Sequence, residues 1–143
     1  MSTLDVLQAA LAGEHACVYG YGLLGAHAAE NDLAAVRTAY EIHRARREEL
    51  SHQIRIRYAD PVAALPAYAI PFDVDGPDAA RELAGLLEQR LAVLYADLVA
   101  ATRIPALREY SAGVLVDTAV LATRWTGRTT ALPGLDGVPK PAT

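Results

Sequence analysis

The 143-residue chain has one cysteine, Cys17, so no intrachain disulfide can form and no Cys-x-x-Cys pair exists to hold a metal or a redox centre. No apolar run reaches the ~18 uncharged residues expected of a bilayer span. The first residues carry Asp5 and no basic stretch, unlike a secretory signal, so the expected location is cytoplasmic. Cations are also in deficit: 13 Lys and Arg against 17 Asp and Glu give a net charge of −4. That balance leaves nothing to hold a phosphate backbone and excludes nucleic acid as the main partner. A Gly-rich phosphate loop and a nucleophile elbow are both lacking. Val, Ile, Phe and Trp are few against 29 Ala and 19 Leu, which argues against a β protein.

With 52% hydrophobic and 21% charged residues, the chain reads as one folded domain large enough to build its own core. Four helices are predicted, over residues 3–29, 32–58, 78–102 and 106–125. Ser2 or Thr3 caps the first, with Asp5 at its positive end. Gly20, Gly22 and Gly25 soften its second half and leave room for a neighbouring helix. Asn31 or Asp32 caps the second, Asp75 the third, and Gly127 ends the fourth. Residues 60–77 hold Pro61, Pro66, Pro71, Gly76 and Pro77 and read as an extended linker, anchored by Leu65, Tyr68, Ile70 and Phe72. Residues 128–143 form an irregular Pro/Gly-rich tail.

Linker lengths set the topology. A 26-residue helix is ~39 Å long, and an extended linker of ~17 residues can reach ~55 Å. The short, long, short pattern of connections therefore predicts an all-α, antiparallel four-helix bundle over residues 1–127, with one long crossover between the second and third helices.

Polar residues fall on the expected inward stripe of every helix. Glu14 follows Leu4, Leu7 and Leu11 and precedes Val18. The second helix reads Val36, Tyr40, His43, Arg47, Leu50, Ile54. The third reads Ala84, Glu88, Leu91, Tyr95, Leu98, and the fourth Leu107, Tyr110, Val114, Asp117, Leu121, Arg124. At 1.5 Å per residue, Glu14, His43, Glu88 and Asp117 all fall in or near the middle third of the bundle. A buried carboxylate must find a proton, a cation or a metal.

The segments LQAALAGEHACVYGYGLLGAH, YEIHRARREEL, LAGLLEQRLAVLYADLV and the closing RWTGR and LPGL resemble a small bacterial ferritin-like family of unknown function. The likeness rests most on Glu14-His15 with Tyr19, on the His43-Arg44-x-Arg46-Arg47 run, and on Glu88. It implies a fold whose relatives hold two iron or manganese ions on a lone Glu from each of two helices and a Glu-x-x-His pair from each of the others. On that pattern Glu14, His43 and Glu88 match, with Asp117 standing for a fourth ligand. Tyr40 and Val120 replace the second helix's Glu and the fourth helix's His.

Two readings of these residues stand side by side. In one, Glu14, His43, Glu88 and Asp117 ligate a single Fe, Mn or Zn ion, with Tyr40 and Tyr95 nearby and redox or metal-handling activity implied. In the other, Arg47 and Arg124 pair with the carboxylates, and a metal-free salt-bridge network serves a structural or interaction module. Dimerisation is expected from the Gly-softened first helix. His15 reads as structural and His27 and His52 as surface residues. Cys17 reads as a small core hydrophobe. Glu41, Arg44, Glu48 and Glu49 read as solvated helix pairs.

Overall fold

The computed structural model describes residues 1–135, and Lys140, Pro141 and the rest of the expected tail from residue 136 lie outside them. Among the described residues there are four long helices and no strand: α1 (Thr3–Leu24), α2 (Leu33–Arg55), α3 (Pro77–Ala101) and α4 (Pro105–Thr126). Ser2 opens α1 with a reciprocal box: Asp5 N–H donates to Ser2 Oγ at 3.1 Å, and Ser2 N–H to Asp5 Oδ2 at 2.9 Å.

Helix α1 stops at Leu24 instead of at Ala29, where the chain tightens into a turn: the Ala26 and His27 amides bond the carbonyls three residues back, Leu23 O and Leu24 O. A single 3-10 turn, Glu30–Asp32, leads into α2. Asp32 does not cap α2 as its sequence suggests. Its carboxylate takes a two-point bond from Arg81 instead, Nε to Oδ2 at 2.7 Å and Nη2 to Oδ1 at 2.9 Å. That pair ties the start of α2 to the start of α3. Asp75 does not cap α3 either. Pro77 occupies the first helical position behind Gly76, where its missing N–H costs nothing. Helix α2 ends at Arg55, three residues before the expected end. Tyr58 follows in the left-handed region (φ 60°), and the Ala59 amide bonds Ile54 O. Gly127, at φ 70°, ends α4 as its sequence position implies.

Residues 59–76 carry no helix and run along α1. Gln8 brackets the first of them, donating to Asp60 O at 2.7 Å and accepting from Val62 N at 2.8 Å. Further along α1, His15 Nε2 lies 3.0 Å from Val62 O, and Tyr19 packs on Tyr68 with ring centroids 5.6 Å apart. Ile70, Phe72 and Val74 then settle on the core, whereas the expected anchor Leu65 is exposed.

One apolar core draws on all four helices, with Leu7, Leu11, Leu24, Leu50, Ile54, Leu83, Leu91 and Leu98 fully enclosed. α1 packs on both α2 and α3, and α4 packs on α3. Gly20 makes the α1–α3 approach close: a Cβ there would meet Leu87 Cδ1 at 2.5 Å. α2 and α4 stand apart, with no Cα of one within 8 Å of the other. No described helix is long and apolar enough to cross a membrane.

Candidate functional site

Three helices deliver one charged residue each to the same buried point. Glu14 comes from α1, two turns after Leu7. His43 comes from α2, one turn after Ala39, and Glu88 from α3, one turn after Ala84. Ala39 and Ala84, one turn before His43 and Glu88, are small, and Glu14, His43 and Glu88 are completely buried.

His43 bridges the two carboxylates. Its Nδ1 lies 2.7 Å from Glu14 Oε2 and its Nε2 lies 2.9 Å from Glu88 Oε1. An imidazole facing a carboxylate oxygen at each nitrogen donates from both only when it is protonated. Burial by itself would push His43 downward. The hydrogen bonds that His43 donates to Glu14 and Glu88, together with the charges of those carboxylates, outweigh it and raise the pKa to about 9.

Two tyrosines and a tryptophan complete the set. Tyr95 donates to Glu14 Oε1 at 2.7 Å, and Tyr21 donates to Glu88 Oε1 at 2.5 Å. Trp125 Nε1 then donates to the Tyr21 hydroxyl at 3.0 Å. Burial, then the neighbouring carboxylates, hold both phenols well above the ordinary tyrosine value, so they remain donors. Cys17 lies beside the cluster, and its thiol is pushed up by burial and then by Glu14 and Glu88. Among the described residues, Glu88 Oε2 has no hydrogen-bond partner, and the same is true of Arg46 Nη1.

The other sequence candidates lie elsewhere. Asp117 does not join Glu14, His43 and Glu88: its side chain is 68% exposed and meets Arg46 Nη2 at 3.4 Å. Arg47 bonds its neighbour Glu48 on the surface at 2.9 Å, and it is Arg46 that turns inward. Arg124 is exposed, whereas the adjacent Trp125 is buried. Tyr40 is half-buried under the guanidinium of Arg44, 5.8 Å from the ring centroid. These displacements share one cause. Each expected residue sits next to the one that faces inward, 100° away on the helix, and the position of the neighbouring helix decides between them.

Sequence reasoning missed Tyr21 and Trp125 as members of the cluster. Tyr21 had a readable signal, since Leu7, Glu14 and Tyr21 recur every seven residues on one face of α1. Trp125 had none, because it reaches the cluster only through the Tyr21 hydroxyl.

A family model described as a domain of unknown function, DUF4439, matches residues 6–137. The chain belongs to this family. A search among curated proteins finds no match. The DUF4439 chain is similar to a crystal structure of a conserved hypothetical protein from Mycobacterium tuberculosis, with 30% identity and a TM-score of 0.85. That likeness covers 87% of the DUF4439 chain and 95% of the other.

Proposed function

We propose that the chain is a ferritin-like, antiparallel four-helix bundle in which a protonated His43 between Glu14 and Glu88 takes the position of a metal centre. On this reading it serves as a structural or interaction module and not as an oxidoreductase. The topology is supported by the packing of chain ends. Thr3 at the start of α1 lies by Ala101 at the end of α3, and Gly85 near the start of α3 lies by Thr126 at the end of α4. Residues 59–76 run the length of α1 between them, as a long crossover would.

The observation that carries the functional reading is that both ring nitrogens of His43 are engaged by carboxylates. A metal ligand must be a neutral imidazole with one free nitrogen. The residues also fall short of a two-metal set: Asp117 is remote, and among the described residues His43 is the one histidine at the cluster. The His43 charge is shared by the two carboxylates, and the hydrogen bonds from Tyr21 and Tyr95 offset part of the remaining cost of burial without an ion.

One observation favours the mononuclear metal reading. Glu14, Cys17 and His43 place a ligand atom each within 4.8 Å of one another, and Glu88 Oε2 is unpartnered beside them. An ion such as Fe, Mn or Zn would be held by Glu14, His43 and Glu88, with Cys17 able to join once deprotonated. It would supply Lewis-acid or redox chemistry there. The chain would first have to release the His43 proton and one of its carboxylate bonds.

Nitrogen-15 NMR of the histidine ring separates the two readings. The metal-free reading expects both His43 nitrogens protonated at pH 7.5 and no stoichiometric Fe, Mn or Zn after loading. A single protonated nitrogen together with one retained metal per chain, lost in Glu88→Ala, would overturn it.

A further inference from the structure

The fold leaves a groove of about 540 Å3 between α3, the outer side of α4 and the chain that follows Gly127. It is remote from the His43 cluster in character, being lined mainly by apolar side chains. Its composition changes along α4. Leu115, Val116, Ala119 and Val120 line one half. Thr123, Arg124, Arg128, Thr129 and Thr130 line the other. The step from Leu115 to Arg124 is nine residues, or ~13 Å.

Two features make this a built groove and not an accident of the surface. Val116 and Val120 are 62% and 54% exposed, and with Leu115 and Ala119 they make one contiguous apolar strip along the outer side of α4. The far wall is also pinned. Gly134 adopts φ 78° against α3, where a Cβ would meet Ala92 O at 2.5 Å, so the chain after α4 can fold back this closely only with glycine there.

We propose that this groove binds a medium-length acyl chain bearing a terminal carboxylate. The apolar half takes the chain, and the guanidiniums of Arg124 and Arg128 take the carboxylate, neither of them engaged in an ion pair among the described residues. The C-terminal end of α4 brings roughly half a negative charge to the same region. Two full cationic charges outweigh it, so the polar end favours an anion.

Isothermal titration of the full chain with dodecanoate tests the proposal, with acetate, dodecyl phosphate and dodecyltrimethylammonium as comparison ligands. The expected result is saturable one-to-one binding of dodecanoate below its micelle concentration. Acetate shows none, and the cationic amphiphile binds at least about tenfold more weakly. Arg124→Glu with Arg128→Glu weakens dodecanoate by about tenfold or more, and Ala119→Trp, which fills the groove, abolishes binding. Both arginines are exposed, so the charge reversal tests the proposal even if Ala119→Trp fails to fold. Several results would overturn it: no saturable binding, equal affinity for both amphiphile charges, preference for dodecyl phosphate, or a dimer in sedimentation that Val120→Asp dissociates.

Discussion

The Tyr21 ring stacks on the His43 imidazole, with centroids 5.1 Å apart and planes inclined by 26°. The Tyr21 hydroxyl donates to the same Glu88 oxygen that faces His43 Nε2. The aromatic face favours the imidazolium through its ring quadrupole, and the Tyr21 hydroxyl favours the ionised form of Glu88. The triangle of Tyr21, His43 and Glu88 is closed by packing and hydrogen bonding together, and several expected outcomes follow from it.

Stability should fall as the solution becomes alkaline. His43 titrates at about 9 in the folded chain against an ordinary value of 6.5. A group whose pKa is raised on folding stabilises fully below the unfolded value, and that contribution disappears as pH rises through the folded one. The window is therefore pH 6.5 to 9, and the size is about 3 kcal/mol from the linkage of pKa to free energy. Urea unfolding at pH 6 and pH 9.5 measures it. In His43→Gln this part of the slope should vanish.

Removing all three members of the triad should cost less than the single removals add up to. Glu88→Ala leaves the His43 charge with one carboxylate and the Tyr21 hydroxyl without its acceptor, at a cost of about 3–5 kcal/mol. Replacing Glu14, His43 and Glu88 together by apolar residues should cost well under the sum of the single changes, because no uncompensated charge stays behind. Chemical denaturation of the three single variants and the triple variant decides this. Strict additivity would show that the three do not act as one network.

Arg46 and Arg47 should behave differently despite adjacent positions. Arg46 is buried and reaches across the α2–α4 gap to Asp117, so Arg46→Ala should cost about 1–3 kcal/mol through lost packing as well as charge. Arg47→Ala, which removes only a half-buried side chain paired with exposed Glu48, and Arg124→Ala, at an exposed position, should stay within about 0.5 kcal/mol. Thermal melts of the three variants compare them directly.

Cys17 should be silent in the native chain. Its thiol is buried and held above the usual value, so the reactive thiolate is scarce. Alkylation by iodoacetamide at pH 8 should proceed only as fast as the protein opens, and should become rapid in denaturant. Fast labelling of folded protein would place Cys17 at an accessible surface.

The face of α3 was legible from spacing alone: Ala84, Glu88, Leu91, Tyr95 and Leu98 all point inward. Its heptad-like repeat allows one orientation only. Helix α2 was legible in its Val36, His43, Leu50 and Ile54 positions, but not in its end or in the choice of Ala39 over Tyr40 or Arg46 over Arg47. Helix α4 was the least legible. Leu107 and Val114 face inward as expected, but Ser111, Thr118, Ala122 and Trp125 are buried in place of Tyr110, Asp117, Leu121 and Arg124. Apolar residues lie on both its inner and its groove-lining sides, so hydrophobic spacing defines two stripes and ranks neither.

The sequence by itself determined that the chain is helical, where the breaks fall, and that Glu14, His43 and Glu88 lie on inward stripes, because helix period and Pro/Gly punctuation are local properties. Only the tertiary structure decided which charges meet. His43 sits between two carboxylates and Asp117 sits outside, because α1 packs on both α2 and α3 while α2 and α4 stand apart. Helix-to-helix placement is set by side-chain volumes summed over the whole core, and no stretch of sequence carries that sum.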